Sequence, residues 1–251
     1  MESVCLIGYK QPLRRIVGVL RLADGVLMHS EFWHDKWSKK EIGFHLDEVN
    51  KVLLKYWPDM HLATGSKVLL PLCGKTLDLF WLRQAGYGVV GIELSEIALD
   101  ELAAQLTAEL DIAIEKNREG EQVFYRGDGV LLIAGDFFNV SRELLQRELG
   151  GDIDAVYDRA ALVALPESMR RQYSQHLHAL SHGAPQMLVT LDYDQSQMDG
   201  PPFALSDAEV HAHYDALYTL TLAEERELIE QEPRFKARGL TSFKQRLYFL
   251  R

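Results

Sequence analysis

Cysteine is nearly missing from this chain: Cys5 and Cys73 are the only two among 251 residues. They lie far apart in sequence, so a disulfide framework is excluded and a reducing cytoplasm is the expected compartment. Neither C-x-x-C nor H-E-x-x-H occurs, and the nine histidines show no ligand spacing, so no metal site is expected. A basic excess is missing too. The formal charge is −10, which argues against a nucleic-acid partner, whose phosphates need a basic face. The 47% apolar and 25% charged residues are an ordinary globular mixture, which excludes disorder and a membrane protein. A small-molecule substrate fits this composition better; a monomer is the expected state, carried by no feature of the sequence.

Glycine is scarce where nucleotide-binding loops need it. Gly74-Lys75-Thr76 resembles the tail of a phosphate-binding P-loop, but the glycine required five residues earlier is Leu69. The dinucleotide fingerprint G-x-G-x-x-G is also missing, because the turn reads P-L-C-G-K-T. A pyrophosphate needs several close backbone N–H groups, and extra glycines make that approach possible. A ligand without phosphate needs a less demanding turn. These two absences weigh against phosphate cofactors and against an NAD-dependent oxidoreductase.

What is present is the stretch 67–96, which reads as strand, tight turn, helix and strand. Val68-Leu69-Leu70 ends in Pro71-Leu72-Cys73-Gly74; Leu77, Phe80, Trp81 and Ala85 follow at helical spacing; Val89-Val90-Gly91-Ile92 ends in Glu93. A right-handed crossover puts both strand ends on one edge of a sheet, where open α/β sheets bind ligands. An acid about 20 residues past the first turn is where a nucleoside ribose is gripped. A bare solvated strand end is the alternative reading of Glu93.

Around this unit a helix is expected from Ser38 to Pro58, with His45, Leu46, Val49, Val52, Leu53 and Tyr56 on one face. Ser95 caps a helix carrying Leu99, Leu102, Leu106 and Leu110. Residues 115–130 are polar and glycine-punctuated, a surface hairpin or loop. Later strands are expected at 131–134, 153–157 and 186–191, with helices at 141–149 and from Pro166. His176 and His178 are expected on helix surfaces. Ser206 with Glu209 forms a capping box. The runs 218–222 and 243–250 lack a long helix between them, so they should pair antiparallel.

The sum is an α/β fold: a Rossmann-like, seven-stranded, mostly parallel sheet with an antiparallel edge hairpin. That architecture suits a class I S-adenosylmethionine-dependent methyltransferase better than a pure dinucleotide fold. No repeat or linker divides the chain, so residues 28–251 are expected to form a single methyltransferase domain. Residues 1–27 carry a small positive excess and no cleavage site; they read as a loosely held extension arising from an upstream start codon, with a membrane-surface helix as the alternative.

Strand ends supply further candidates. Asp136 and Phe137 end the third parallel strand, where a purine ring would lie, although Phe137 or Phe138 equally suits the core. Asp158-Arg159 ends the fourth, as a surface ion pair or as groups facing a ligand. Trp33, Trp37 and Phe44 are either plain packing or an aromatic lid.

The motifs F-W-H-D-K-W (32–37), G-F-H (43–45), L-P-L-C-G-K (70–75), V-V-G-I-E-L-S-E (89–96), Y-D-R-A-A-L-V-A-L-P (157–166) and G-P-P-F (200–203) together resemble the thiopurine S-methyltransferase family, bacterial branch. The match runs from about Met28 to the C-terminus. Residues 1–27 have no counterpart in the pattern, and the 115–130 segment is longer than in bacterial relatives. The resemblance implies S-adenosylmethionine as cofactor, contacted by Trp37, Leu72, Glu93 and Arg159, with Asp136 and Phe137 at the adenine side. It implies that Phe44 contacts substrate or closes the site, and Phe203 is assigned to a wall of the acceptor pocket.

The implied reaction is methyl transfer to thiopurines and other aromatic or heterocyclic thiols. Such thiols are acidic, so no dedicated base is required; Asp158 is the one candidate. The resemblance also implies methylation of selenium or tellurium compounds, as metalloid resistance, as an alternative. A cofactor-binding sensor without turnover is the non-enzymatic rival.

Overall fold

The computed structural model describes residues 30–43 and 45–251. The extension expected over 1–27, Cys5 and the candidate Phe44 lie outside the described residues. Strand β1 (Lys67–Pro71) pairs in parallel with β2 (Gly88–Glu93) on one side and β6 (Ala155–Arg159) on the other. Beyond β2 lies β5 (Val130–Ala134), and beyond β6 lies β7 (Gln186–Asp192), all parallel. These are the five expected parallel strands. At one edge β9 (Lys244–Leu250) pairs antiparallel with β7 and with β8 (Leu220–Glu227), as the two unbridged runs required.

The sheet has nine strands rather than seven, in the order β3-β4-β5-β2-β1-β6-β7-β9-β8. The two additional strands come from the polar segment: β3 (Glu115–Glu119) and β4 (Gln122–Gly127) form a hairpin that continues the sheet past β5. Within it Val123, Phe124 and Tyr125 are buried, an apolar run too short to stand out among charges. β3 is wholly exposed and reads E-K-N-R-E. Charges of this kind discourage pairing of an open edge with another chain.

Side chains alternate across each strand and so feed two cores. Leu70, Val89, Leu132, Tyr157 and Val189 pack with α2 (Lys51–Tyr56), α3 (Leu77–Gln84) and α4 (Glu96–Leu110). Leu69, Val90, Ile133, Val156 and Leu188 face α5 (Arg142–Leu149), α6 (Glu167–Ser181) and α7 (Asp207–Tyr214). Each fully buried Leu or Val is worth about 1.5–3 kcal/mol. Because both faces of β1 are covered, its sequence shows an unbroken apolar run instead of alternation.

Helix starts follow their caps. Thr76 accepts from Asp78 N–H (3.2 Å), Ser95 from Ala98 N–H (3.4 Å) and Ser141 from Leu144 N–H (3.2 Å). Three expectations are corrected. The helix expected from Ser38 starts only at Lys51, because Asn50 caps it through Val52 N–H (2.9 Å) while its own N–H donates to buried Asp78 (2.7 Å). A separate helix, α1 (Ser30–Ser38), precedes it. The capping box at Ser206 is half formed: its hydroxyl accepts Glu209 N–H (3.2 Å), but the Glu209 carboxylate pairs with Arg170. His176 and His178 are half-buried, not surface groups: His176 bonds the Phe137 carbonyl (3.1 Å) and His178 packs edge-on against Tyr218. Among the described residues no helix is long and apolar enough to cross a membrane.

Candidate functional site

The strand order reverses between β1 and β6: the chain runs outward from β1 through β2 to β5, then returns to β6 and runs the other way. A crevice opens outside the carboxyl ends of the strands at such a switch point. Leu72 follows β1 at φ +47° and Ala160 follows β6 at φ +63°. Both are non-glycine residues in the left-handed region, which costs about 1–2 kcal/mol each. Two such residues on facing strand ends mark a built feature, since strain of this kind clusters at binding sites.

Next along the edge, Glu93 ends β2 on the α1–α4 side and is 7% exposed. Its carboxylate accepts Gly74 N–H at 2.8 Å and Ser95 N–H at 2.9 Å, tying the turn after β1 to the turn after β2. Burial pushes its pKa up, and the N–H groups of Ser95, Gly74 and Leu94 pull it back. An ionised carboxylate has about four lone-pair positions, so capacity is left for a further donor such as a ribose hydroxyl. Over this turn lies α1. The Trp37 indole is buried, and a side-chain carbon added at Gly74 (φ +54°) would come within 3.1 Å of its ring. Cys73, next to Gly74, is buried, and burial raises its thiol well above the ordinary range, so it is no nucleophile.

Beyond β2, the ends of β2 and β5 border a cavity of about 750 Å³. Leu94, Ser95, Gly135 and Asp136 form its floor, and Gln122 of the hairpin and His34 of α1 form its sides. Asp136 is exposed and caps a turn through Phe138 N–H (2.9 Å). Phe137 takes the core alternative: it is 6% exposed and packs against Tyr173 at 5.2 Å between centroids.

Asp158 and Arg159 do not pair with each other. As neighbours on a strand they point to opposite faces. Asp158 is fully buried on the α6 side, where it accepts Tyr173 O–H (2.8 Å) and Leu162 N–H (3.2 Å). Burial raises its pKa to about 6 against the pull of these donors. Arg159 lies on the other face, half-buried, with no hydrogen bond or ion pair to the described residues. His45 is close to it: burial first, then the charges of Lys75 and Arg159, lowers the His45 pKa. Arg159 is thus an uncommitted cation at the switch point.

Phe203 arrives from a distant segment. Its N–H donates to the Val163 carbonyl (2.7 Å), just past the Arg159 strand end, and its ring lies against Gly200. Sequence reading missed two residues here. Arg234 of α8 (Pro233–Lys236) donates to the Gly43 carbonyl beside Phe44, and Arg170 is buried behind Phe203. Both sit in charged stretches that read as solvated surface, so no local signal marks them.

These residues fit a nucleoside-bearing, phosphate-free ligand. Glu93 offers an acceptor for a hydroxyl, the single-glycine turn provides no pyrophosphate cradle, and the cavity beside Leu94 suits a flat base.

Comparison with known proteins agrees with this geometry. A family model described as Thiopurine S-methyltransferase (TPMT) matches residues 28–251. The thiopurine S-methyltransferase of Pseudomonas fluorescens (strain Pf0-1) is 41% identical over 224 residues, covering 89% of this chain and 99% of that protein. A probable thiopurine S-methyltransferase of Yarrowia lipolytica is 41% identical over 213 residues, covering 85% and 95%. Among solved structures, magnesium protoporphyrin IX methyltransferase from Synechocystis PCC 6803 with bound SAM superposes with a TM-score of 0.58 at 15% identity, covering 88% of this chain and 96% of that one. That likeness supports the Rossmann-like methyltransferase fold.

Proposed function

The chain belongs to the thiopurine S-methyltransferase family, and on that premise we propose that it methylates the sulfur of thiopurines and related aromatic or heterocyclic thiols using S-adenosylmethionine. The observation that carries this reading is that Glu93 and Arg159 end the strands on either side of β1, on one face of the sheet at the switch point. One is a buried acceptor with capacity left for a hydroxyl; the other is a cation without a hydrogen-bond or ion-pair partner among the described residues. When bound, S-adenosylmethionine supplies a methyl group on a positively charged sulfur.

In this reading Glu93 holds the ribose, Leu72 and Trp37 enclose the aliphatic part, and Asp136 borders the adenine, with Phe137 packed in the core behind it. Arg159 attracts the acceptor as its anion and orients it. Phe44 and Phe203 supply apolar walls that exclude water from the acceptor. An aromatic thiol ionises near neutrality, so the protein need not provide a base. Asp158, turned toward Tyr173, then serves as a brace for the loop that follows Arg159. Holding the reactants together and aligned is worth up to about 7–11 kcal/mol, and a rigid strand edge is suited to that task.

Arg159 near His45 equally suits an oxyanion, which keeps selenium or tellurium compounds and a role in metalloid resistance as the second acceptor class. The reading includes a monomer, and a cytoplasmic location that fits a chain with only two cysteines. The deciding experiment measures methyl transfer to a thiopurine and to selenite, with titration calorimetry of S-adenosylmethionine alongside. Turnover of the thiopurine with higher kcat/KM upholds the proposal. Binding without turnover of either compound refutes it in favour of a sensor.

A further inference from the structure

Arg170 is 3% exposed on α6, a position where a guanidinium must be compensated or it costs several kcal/mol. Its partners come from three separate segments. Its Nε donates to the Leu165 carbonyl (3.0 Å), at the end of the loop that begins with Arg159. Its Nη1 donates to the Ala204 carbonyl (3.2 Å), next to Phe203, and pairs with Glu209 of α7. The guanidinium carbon lies 5.8 Å from the centre of the Phe203 ring.

The Phe203 loop is otherwise held by backbone and uncharged contacts. Tyr193 O–H donates to the Pro202 carbonyl (2.5 Å), Ala204 N–H to Gln195 (2.8 Å) and Leu205 N–H to the Leu191 carbonyl (2.7 Å). Phe203 N–H also donates to the Val163 carbonyl (2.7 Å), a backbone bond between this loop and the Arg159 loop, and Arg170 is the side chain that grips both.

Resting on the acceptor site proposed above, we propose that Arg170 is a positioning residue that, together with the Phe203–Val163 backbone bond, fixes the distance between the Phe203 wall and Arg159 and so sets affinity for the acceptor. It touches neither substrate nor cofactor. The planar fork is what matters. A lysine keeps the charge but cannot serve two carbonyls and a carboxylate in fixed directions.

The test compares R170K with wild type in two backgrounds, native and F203A, and adds E209Q, which keeps the fork and removes only the ion pair. Amide hydrogen exchange at Gly200, Phe203, Ala204 and Leu205 is the readout independent of activity, Pro201 and Pro202 having no N–H. In R170K these amides should exchange about tenfold faster while those of β1 stay unchanged; acceleration everywhere would mean a merely structural role and overturn the proposal. With a thiopurine acceptor, KM should rise about tenfold in R170K, more than kcat falls, while cofactor Kd stays within about twofold. The same change in F203A should have little further effect, because coupled residues are not additive. An equal KM penalty in both backgrounds, or none, overturns the proposal. If R170K does not fold, E209Q decides: faster exchange at these amides with a raised KM supports it, and unchanged values sink it. A wild type that turns over no thiopurine would refute the acceptor assignment, while the exchange data still judge the Arg170 coupling.

Discussion

Glu93→Gln isolates the ligand-holding part of Glu93 from its structural part. The carboxylate accepts two buried backbone N–H groups, from Gly74 (2.8 Å) and Ser95 (2.9 Å). An amide has one oxygen and one NH2, so one of those N–H groups must face another donor. That defect costs about 1–3 kcal/mol of stability, read as a lower midpoint in urea. A hydroxyl donating to a carboxylate is worth about 1.5–3 kcal/mol, and each 1.4 kcal/mol is tenfold in Kd. E93Q should therefore weaken S-adenosylhomocysteine by about 10–100-fold. Weakening alone is ambiguous, because a disordered turn would also lower affinity. The discriminating assay is calorimetry with S-adenosylhomocysteine and its 2′-deoxy analogue on both proteins. Wild type should prefer the hydroxylated ligand by tenfold or more, and E93Q should lose most of that preference. If the preference is the same in both proteins, Glu93 shapes the turn and holds no ribose.

Removing the strand-end cation with Arg159→Ala should lower kcat/KM for a thiopurine by about 10–100-fold, the value of one charged hydrogen bond; unchanged turnover and unchanged cofactor affinity would defeat the role given to it. For Asp158, the folded pKa of about 6 exceeds the ordinary 3.8, so the unfolded chain releases this proton first as pH rises. Its contribution to stability is present below about pH 4 and is lost by about pH 6, roughly 3 kcal/mol in all. Asp158→Asn should flatten that part of the pH–stability profile in urea titrations, and its turnover should persist; abolished turnover in a folded variant would restore it as the base. Gly74→Ala places a Cβ 3.1 Å from the Trp37 ring at φ +54°, so the urea midpoint should fall by an amount worth about 1–2 kcal/mol, and an unchanged midpoint would show that the turn adjusts freely.

The parts of the site legible in sequence are those carried by regular elements. Glu93 and Arg159 end apolar runs, and a run of that kind announces where its strand stops. The faces of Asp158 and Arg159 were not legible, because β6 is covered on both sides and its apolar run gives no alternation to count. Phe137 left core and ligand equally open until its stacking on Tyr173 was known. α1 was missed as a helix because a nine-residue segment with Phe32, Trp33 and Trp37 is too short for a clear period; it is placed by Trp37 packing over Gly74. The hairpin of β3 and β4 escaped the strand count because its buried run is only three residues long. Arg170 lies beside Arg171 on a polar helix, and its burial depends on a loop 34 residues away. No local pattern encodes such a contact.

Glu93 and Asp158 carry the same chemistry at neighbouring points of one edge, and comparing them shows what makes a strand-end acid a ligand group. Each is buried, each has a raised pKa, and each braces the loop after its own strand by accepting a backbone N–H. They differ in the face of the sheet. Asp158 points into the layer filled by α6, where the Tyr173 hydroxyl takes its second oxygen and the surrounding side chains are apolar. Its remaining acceptor positions therefore face packed side chains and not a crevice. Glu93 points to the layer where α1 crosses the strand ends, and its second oxygen is used by Gly74, the residue under Trp37. The same bond that satisfies Glu93 fixes the turn on which the crevice is built. An acid's strand position suggests a ligand role, but its face decides whether that role is open to it.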